Sequence, residues 1–142
     1  MPVVQSQQSH RSPVWLPDGH FQSIYPSLFR KVIPVFNPIR ERLELPDGDF
    51  LDVDWFRQSV NSFEKPWVIV SHGLEGSSDR HYVLGLVNAM LEQGFNALAW
   101  NYRSCSGEPN RNLRFYHSGA TDDLDYVIKH AISLGVRDIF LA

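Results

Sequence analysis

The sequence has little cysteine and no excess of basic residues, and each lack excludes a class of protein. Cys105 is the single cysteine among 142 residues, so an internal disulfide and a cysteine-rich zinc site are both excluded. The 13 lysines and arginines stand against 16 aspartates and glutamates, and the net charge of -3 offers no general attraction for nucleic acid or anionic lipid. Nucleic acid is therefore not expected as a partner.

Long hydrophobic runs are also lacking. Two long uncharged stretches, residues 82–91 and 93–102, fall well short of the roughly 18 apolar residues that a transmembrane helix needs. Residues 1–12 are polar and carry no apolar segment of the kind found in secretory signals. We therefore expect a flexible tail over residues 1–12, no transmembrane segment, and a location in the reducing cytoplasm.

The remaining residues 13–142 have the composition of one globular domain. Hydrophobic residues make up 43% of the chain and aromatic residues 13%, which is enough to build a core. Residues 13–38 hold five prolines interleaved with aromatic side chains. This interleaving argues against one long helix and predicts an irregular aromatic arm that packs on the main body.

Residues 39–55 alternate apolar with charged side chains around Pro46, Asp47 and Gly48. The pattern predicts a β-hairpin closed on an Asp-Gly turn, because these two residue types tolerate positive φ best. Continuous apolar runs then predict buried strands at residues 66–71, 95–100 and 139–142. A turn near Asn61 and a Gly-, Pro- and Asn-rich loop over residues 103–119 connect the elements.

Two amphipathic helices separate these strands. Apolar residues at helical spacing predict the first helix from Asp79 to Gly94 and the second from Thr121 to Gly135. Thr121 is predicted as the N-cap of the second helix, with acidic residues following it at the positive end of the helix dipole. The whole order predicts an α/β fold: a β-hairpin followed by a parallel β-α-β-α-β unit with helices on the sheet faces.

In an open α/β sheet, ligands bind beyond the carboxyl ends of the strands, which directs attention to residues 72–76 (HGLEG). A glycine-bearing turn at this position leaves backbone N–H groups pointing into the crevice. The loop lacks the spacing of a dinucleotide fingerprint and the Gly-Lys-Ser/Thr of a phosphate-binding loop. Half of an oxyanion hole therefore remains as one interpretation, and a tight exit from the strand as the other.

Other residues that could carry chemistry lack a supporting pattern. The six histidines are scattered, with no H-E-x-x-H and no carboxylate at helical spacing, so no metal site is predicted. Cys105 has no activating neighbours in sequence and is interpreted as a small loop residue. The serines of the same loop are interpreted likewise, since none lies in a G-x-S-x-G elbow: Ser104, Ser106 and Ser118.

Four separated motifs nevertheless resemble the YheT-like branch of the α/β-hydrolase superfamily. They are, in order, residues 19–26 (GHFQSIYP), 71–76 (SHGLEG), 102–110 (YRSCSGEPN) and 116–119 (YHSG). Ser104 departs from the family pattern, which usually has Gly before the cysteine. The resemblance covers about residues 13–142 and implies the N-terminal portion of a single α/β-hydrolase domain, incomplete in this chain.

The resemblance implies a carboxylic-ester or acylglycerol hydrolase with a Ser/Asp/His triad and no metal or organic cofactor. In that superfamily one oxyanion N–H follows the nucleophile and another comes from the loop after an earlier strand. Leu74 would supply the second of these N–H groups, with His72 and Gly73 shaping the turn. The nucleophile is expected a few residues after Ala142 and the other triad members later, so the chain alone is expected to be inactive.

Two other classes of function remain open on the residues alone. The chain could be a non-catalytic α/β module that binds an apolar ligand or a protein partner at its sheet edge. A metal or phosphate site could also use the histidines or the Gly73 and Gly76 loop. A small-molecule ester or acylglycerol is the expected partner under the resemblance, and the oligomeric state is not predicted.

Overall fold

A computed structural model describes residues 12–57, 62–117 and 119–142. Residues 1–11 of the flexible tail predicted over residues 1–12, the turn near Asn61 and the interpretation of Ser118 lie outside the described residues, as does His10. The chain divides into two compact units, Met1–Lys31 and Val32–Ala142.

In the first unit, a helix replaces part of the predicted irregular arm. Helix α1 spans Gly19–Phe29, and the Asp18 side chain accepts hydrogen bonds from the amides of His20 and Phe21 at 2.9 and 3.0 Å. Pro26 lies inside the helix, where it removes one backbone bond at a cost of about 3 kcal/mol. The prediction is wrong for this segment: Pro26 removes only one backbone hydrogen bond, and the helix is supported by the aspartate cap and by ring contacts of Tyr25 with Trp15 and Phe29.

The second unit begins with the predicted hairpin. Strands β1 (Ile39–Glu44) and β2 (Phe50–Phe56) pair antiparallel. The turn differs from the prediction, since only Gly48 has a positive φ, at 81°. The amide of Gly48 donates to the Leu45 carbonyl at 3.0 Å, and the amide of Leu45 donates to the Asp49 carbonyl at 2.8 Å. This is a three-residue loop ending on a left-handed glycine, a common alternative to the two-residue hairpin turn.

Three further strands complete a five-stranded sheet in the order β1-β2-β4-β3-β5. Strand β3 spans Trp67–Ser71, β4 spans Asn96–Trp100 and β5 spans Ile139–Leu141. Strand β3 pairs parallel with both β4 and β5, as predicted, while β2 pairs antiparallel with β4. The sheet is therefore mixed, with the parallel β-α-β-α-β unit attached to the hairpin.

The two predicted helices are present, one on each face of this sheet. Helix α2 spans His81–Glu92 and helix α3 spans Thr121–Ser133; a 3-10 turn at Ser62–Glu64 precedes β3. Both helices end in the same motif, in which a left-handed glycine, Gly94 or Gly135, follows the last turn. One correction concerns the start of α3: Ala120 is the N-cap and makes no side-chain capping bond, so Thr121 is the first helical residue.

The sheet faces build two apolar clusters. On one face, α2 packs its valines and Leu91 against side chains of β3 and β4. On the other, Val127 and Ala131 of α3 pack against alternate residues of the same strands, together with hairpin residues such as Trp55. Successive residues of a strand point to opposite faces of the sheet. Because helices cover both faces, every residue in the continuous apolar runs of β3 and β4 contributes to one of the two clusters.

The prediction that β5 is a buried strand is wrong. Phe140 is 54% exposed and Leu141 58% exposed, since β5 lies at the edge of the sheet and, among the described strands, pairs only with β3. Among the described residues, no helix combines the length and the apolar character needed to cross a bilayer.

Candidate functional site

A cavity of about 680 Å³ lies at the carboxyl ends of β3 and β4. Its wall is formed by the loop after β3, including Leu74 and Gly76, and by the loop after β4, including Cys105 and Tyr116. The two loops meet there because neighbouring parallel strands end at the same edge of a sheet. The volume falls within the range of small-molecule clefts.

His72 connects these two loops. Its ring is buried, with Nδ1 lying 2.8 Å from the Gly73 carbonyl oxygen, and its Nε2 accepts the Tyr102 amide at 3.1 Å. An amide nitrogen can only donate, so Nε2 carries no proton and Nδ1 donates to the Gly73 carbonyl. Burial lowers the pKa of His72 below its ordinary 6.5, and the nearby Arg80 charge acts in the same direction. The geometry therefore holds His72 neutral with both ring nitrogens engaged.

The Gly73–Leu74 peptide is oriented by this arrangement. The Gly73 carbonyl accepts both the His72 ring N–H and the amide of Gly76, the latter at 2.9 Å. In a trans peptide the C=O and the following N–H point in opposite directions. The N–H of Leu74 is therefore directed away from the His72 ring.

The amides around Leu74 are occupied. The amide of Gly73 donates to the Tyr82 hydroxyl at 2.8 Å, and the amide of Glu75 donates to the Tyr116 hydroxyl at 2.5 Å. Within the described ranges, the amide of Leu74 finds no protein acceptor. Its side chain is 87% exposed, and the residue lines the cavity. One unpaired backbone donor is thus presented between two that are paired.

Both loops contain a non-glycine residue in the left-handed region. Glu75 has a φ of 53° and Ser104 a φ of 63°. Such residues cost about 1–3 kcal/mol and persist where their surroundings determine them. Tyr116 accepts the amide of Glu75, and the Asn110 side chain accepts the amide of Ser104.

Sequence reasoning missed the polar residues that anchor these loops to the sheet. The buried Asn101 accepts the Ser78 amide at 2.9 Å and donates to the Asp52 carbonyl at 3.0 Å, joining both loops to β2. Asp52 and Asp54 are buried on β2 and form paired hydrogen bonds with Arg42 and Arg40. The predicted hairpin could have revealed these ion pairs, because its register places each aspartate directly opposite its arginine.

A second buried network lies beside the first. The guanidinium of Arg103, 2% exposed, contacts three carboxylates at 2.7–2.9 Å: Asp47, Asp49 and Asp123. These hydrogen bonds hold the pKa of Arg103 above its usual range. Asp123, expected from the sequence only as a favourable charge at the start of α3, instead joins that helix to the loop after β4.

The remaining candidate residues are dispersed. Cys105 lies in the cavity wall, where burial raises the pKa of its thiol. The Ser106 hydroxyl donates to the Asp52 carboxylate at 2.6 Å. In the part of the chain that the structure describes, no three His, Cys, Asp or Glu side chains form a group that could hold a metal ion.

Comparison with known proteins gives the following relatives. No family model matches the chain. It is 44% identical to "Putative esterase YheT" of Escherichia coli (strain K12), covering 78% of this chain and 32% of that protein. It is 30% identical to phospholipase ABHD3 of Homo sapiens, covering 99% of this chain and 35% of that protein. The chain thus spans about a third of the length of these relatives.

The fold has solved counterparts. The structure of XC6422 from Xanthomonas campestris, an α/β serine hydrolase without a lid, matches with a TM-score of 0.58 and 23% identity, over 79% of this chain and 52% of that one. At that identity the likeness shows the fold alone. This match confirms the α/β-hydrolase fold predicted from the sequence. The 44% identity to YheT adds a similarity in sequence to one branch of that superfamily. The chain has the α/β-hydrolase fold, and its sequence is similar to the YheT-like branch of that superfamily.

Proposed function

We propose that these residues form the N-terminal part of a serine hydrolase that acts on carboxylic esters, and that the Leu74 amide is one of its two oxyanion donors. The observation that carries the proposal is the unpaired Leu74 N–H beside the cavity, between two amides that are already bonded. Preorganised N–H donors of this kind stabilise the charge that develops on a carbonyl oxygen in acyl transfer.

The pairing of β5 with β3 supports the position of the second donor. The amide of Ser71 donates to the Ala142 carbonyl at 2.8 Å, and the amide of Ala142 donates to the Ile69 carbonyl at 3.0 Å. Residue 142 therefore lies beside the residue that precedes His72. A nucleophile elbow directly after Ala142 would start next to the Leu74 loop, which is where two donors for one oxygen are needed.

The proposed reaction follows from this geometry. A serine Oγ in the elbow attacks the ester carbonyl, and its proton passes to the triad histidine. The carbonyl oxygen becomes an oxyanion held by the Leu74 N–H and the N–H after the serine. The C–O bond to the alcohol then breaks, and the alcohol leaves with the proton from the histidine. Water then hydrolyses the acyl-enzyme: the histidine takes a proton from the water, its oxygen attacks the acyl carbonyl, and the C–O bond to the serine breaks as the serine regains that proton.

The substrate proposed is a small ester or an acylglycerol. Leu74, Phe115 and Tyr116 give the cavity an apolar side, and Arg80 gives it a charged one. The relatives' names are those of an esterase and a phospholipase, and both names fit an enzyme that hydrolyses esters. We also propose a cytoplasmic location, on the ground that the single cysteine suits a reducing compartment.

Two variants of the complete protein test the role of Leu74. Leu74→Pro removes the N–H, and losing one oxyanion donor typically lowers kcat by about 10²–10³. Leu74→Ala keeps the N–H and shortens a side chain that lines the cavity, so it should change KM and lower kcat far less than Leu74→Pro does. Both are measured on a short p-nitrophenyl ester. An unchanged kcat in folded Leu74→Pro would remove Leu74 from the mechanism.

The hydrolase class itself is tested by labelling. A fluorophosphonate should attach to one serine of the complete protein, downstream of Ala142, and should leave the 142-residue chain unlabelled. Stoichiometric labelling of the 142-residue chain would contradict the proposed position of the nucleophile. An unlabelled and inactive complete protein would instead favour a non-catalytic α/β module.

A further inference from the structure

Two tyrosine hydroxyls lie on either side of the Leu74 amide and have no role in the reaction as written. Tyr82 belongs to the first turn of α2, and Tyr116 belongs to the long loop between β4 and α3. Tyr82 accepts the amide that precedes Leu74, and Tyr116 accepts the amide that follows it. The two hydroxyls therefore reach one short loop from two different elements.

We propose that Tyr82 and Tyr116 are positioning residues that fix the Leu74 N–H toward the reacting carbonyl by binding the amides on both sides of it. The assignment rests on the proposed function, because the two hydroxyls can position an oxyanion donor only if the Leu74 N–H is one. Each bond holds one neighbouring peptide, and together they leave Leu74 as the loop's donor to the cavity. A displacement of about 1 Å at such a site can cost about 10²-fold in rate.

The Tyr82 hydroxyl occupies space that a side chain at position 76 would fill. A Cβ at Gly76 would lie 2.5 Å from this oxygen, closer than side-chain carbons approach, so the hydroxyl fits only because residue 76 is glycine. A Cβ at Gly73 would lie 3.5 Å from the same oxygen. Both glycines of the loop therefore face Tyr82, which connects its position with the sequence of the loop.

Tyr116 is held by an aromatic stack that ends on His72. Its ring stacks on Tyr102 with centroids 5.1 Å apart, and Tyr102 meets the His72 ring edge-on at 4.8 Å. The Tyr102 amide also donates to His72. The same unit therefore orients the Gly73 carbonyl through His72 and the Glu75 amide through Tyr116, so both peptides flanking Leu74 are set by one group of residues. This gives a role to Tyr116, the first residue of the fourth sequence motif.

The test compares three Tyr→Phe variants of the complete protein. Tyr82→Phe and Tyr116→Phe remove the two loop contacts. Tyr126→Phe is the matched control, because the Tyr126 hydroxyl donates to the Glu44 carbonyl at 2.7 Å, away from the loop. We expect kcat on a short p-nitrophenyl ester to fall by about tenfold or more in each loop variant, with KM within about twofold. The control should keep both constants.

Two further measurements separate positioning from loss of structure. Active serines are titrated with a fluorophosphonate, so that kcat refers to folded sites even in a partly unfolded variant. The inhibition constant of a trifluoromethyl ketone, which forms a tetrahedral oxyanion adduct, should rise by the same factor by which kcat/KM falls. A general structural defect would not make these two quantities change together.

Each result decides the proposal. A kcat within about twofold of wild type in both loop variants would overturn the role of the tyrosines while leaving the hydrolase intact. A fall equal to that of Tyr126→Phe would overturn it as well. A wild-type protein that neither labels nor turns over esters would overturn the proposed function, and the tyrosine assignment with it.

Discussion

At the scale of single residues, Gly76 is the position where one added methyl group has the clearest consequence. The new carbon in Gly76→Ala would lie 2.5 Å from the Tyr82 hydroxyl and 2.9 Å from the Gly73 carbonyl oxygen. We expect the free energy of unfolding to fall by about 1–3 kcal/mol, as in other overpacked sites, and kcat to fall because the loop must shift. Urea denaturation and steady-state kinetics of the complete protein measure the two effects.

Gly19→Ala is the control for Gly76→Ala. An added Cβ at Gly19 meets nothing within 4 Å, and Gly19 begins a helix, where alanine is preferred to glycine. This substitution should leave stability unchanged or slightly raised. A Gly76→Ala protein with wild-type stability and wild-type kcat would show that the loop does not need the space beside Tyr82.

His72 predicts a pH dependence of stability. Burial is the largest effect on its folded pKa and lowers it; the hydrogen bond to the Gly73 carbonyl raises it, the Arg80 charge lowers it and Asp79 raises it, and the net shift of the pKa is downward. A lowered folded pKa means that the neutral form stabilises the fold. The contribution is complete above the ordinary value of 6.5 and is lost as the pH falls from 6.5 through the folded pKa. Protonation of Nε2 would also break its bond from the Tyr102 amide.

The measurement for His72 is the melting temperature between about pH 7.5 and pH 5.5. His72→Gln should have a lower melting temperature at the upper end and a weaker dependence on pH. Parallel curves for wild type and His72→Gln would mean that His72 does not link protonation to folding.

At the scale of elements, the Arg103 network joins the hairpin turn, the loop after β4 and the start of α3. Removing one partner of a buried ion pair typically costs about 3–5 kcal/mol, because the other charges stay buried without a counter-ion. Arg103→Ala leaves Asp49 and Asp123 in this state, and we expect a loss of that order in urea denaturation. Lys129→Ala is the control: its pair with Asp125 lies on the exposed face of α3, so stability should barely change. Equal effects in the two variants would contradict the burial argument.

The elements themselves follow from the sequence, whereas their polar connections do not. The spacing of apolar residues predicts α2 between Asp79 and Gly94, and the helix spans His81–Glu92. The agreement is close because this spacing depends only on residues that are near one another in the chain. Asp52 and Asp54 alternate with apolar residues on β2, a pattern typical of a solvent-facing side. Asp52 is buried beneath the loop after β4, about 50 residues later, and Asp54 is contacted by Ser78 of the loop after β3. Such long-range contacts leave no periodic signal.

The same reason limits the prediction of the candidate site. The position of residues 72–76 after a buried strand was readable, and the family resemblance implied the Leu74 amide as an oxyanion donor. The partners that orient the loop were not readable. Tyr82 lies in a helix among apolar residues, and Tyr116 lies about 40 residues downstream in an irregular loop. Only the packing of α2 and of this loop at the end of β3 brings the two hydroxyls together.

At the scale of the whole molecule, the sheet ends on an apolar edge. Phe140 and Leu141 of β5 are more than half exposed, and the free side of an edge strand carries unpaired N–H and C=O groups. The two residues point to opposite faces of the sheet, so an exposed apolar side chain lies on each face along this edge. An edge of this kind is a template for pairing with a second chain.

We therefore expect the 142-residue chain, expressed alone, to associate through β5 and to bind an apolar dye. Leu141→Lys places a charge on the edge and should raise the monomer fraction measured by size exclusion with light scattering at several concentrations. Leu113→Lys is the control, because Leu113 is an exposed leucine in the loop after β4, away from the edge. If Leu113→Lys restores the monomer equally, general solubility explains the effect. A wild-type chain that elutes as a monomer at every concentration would show that β5 needs no neighbour, and would favour a self-sufficient α/β module over the front part of a larger hydrolase sheet.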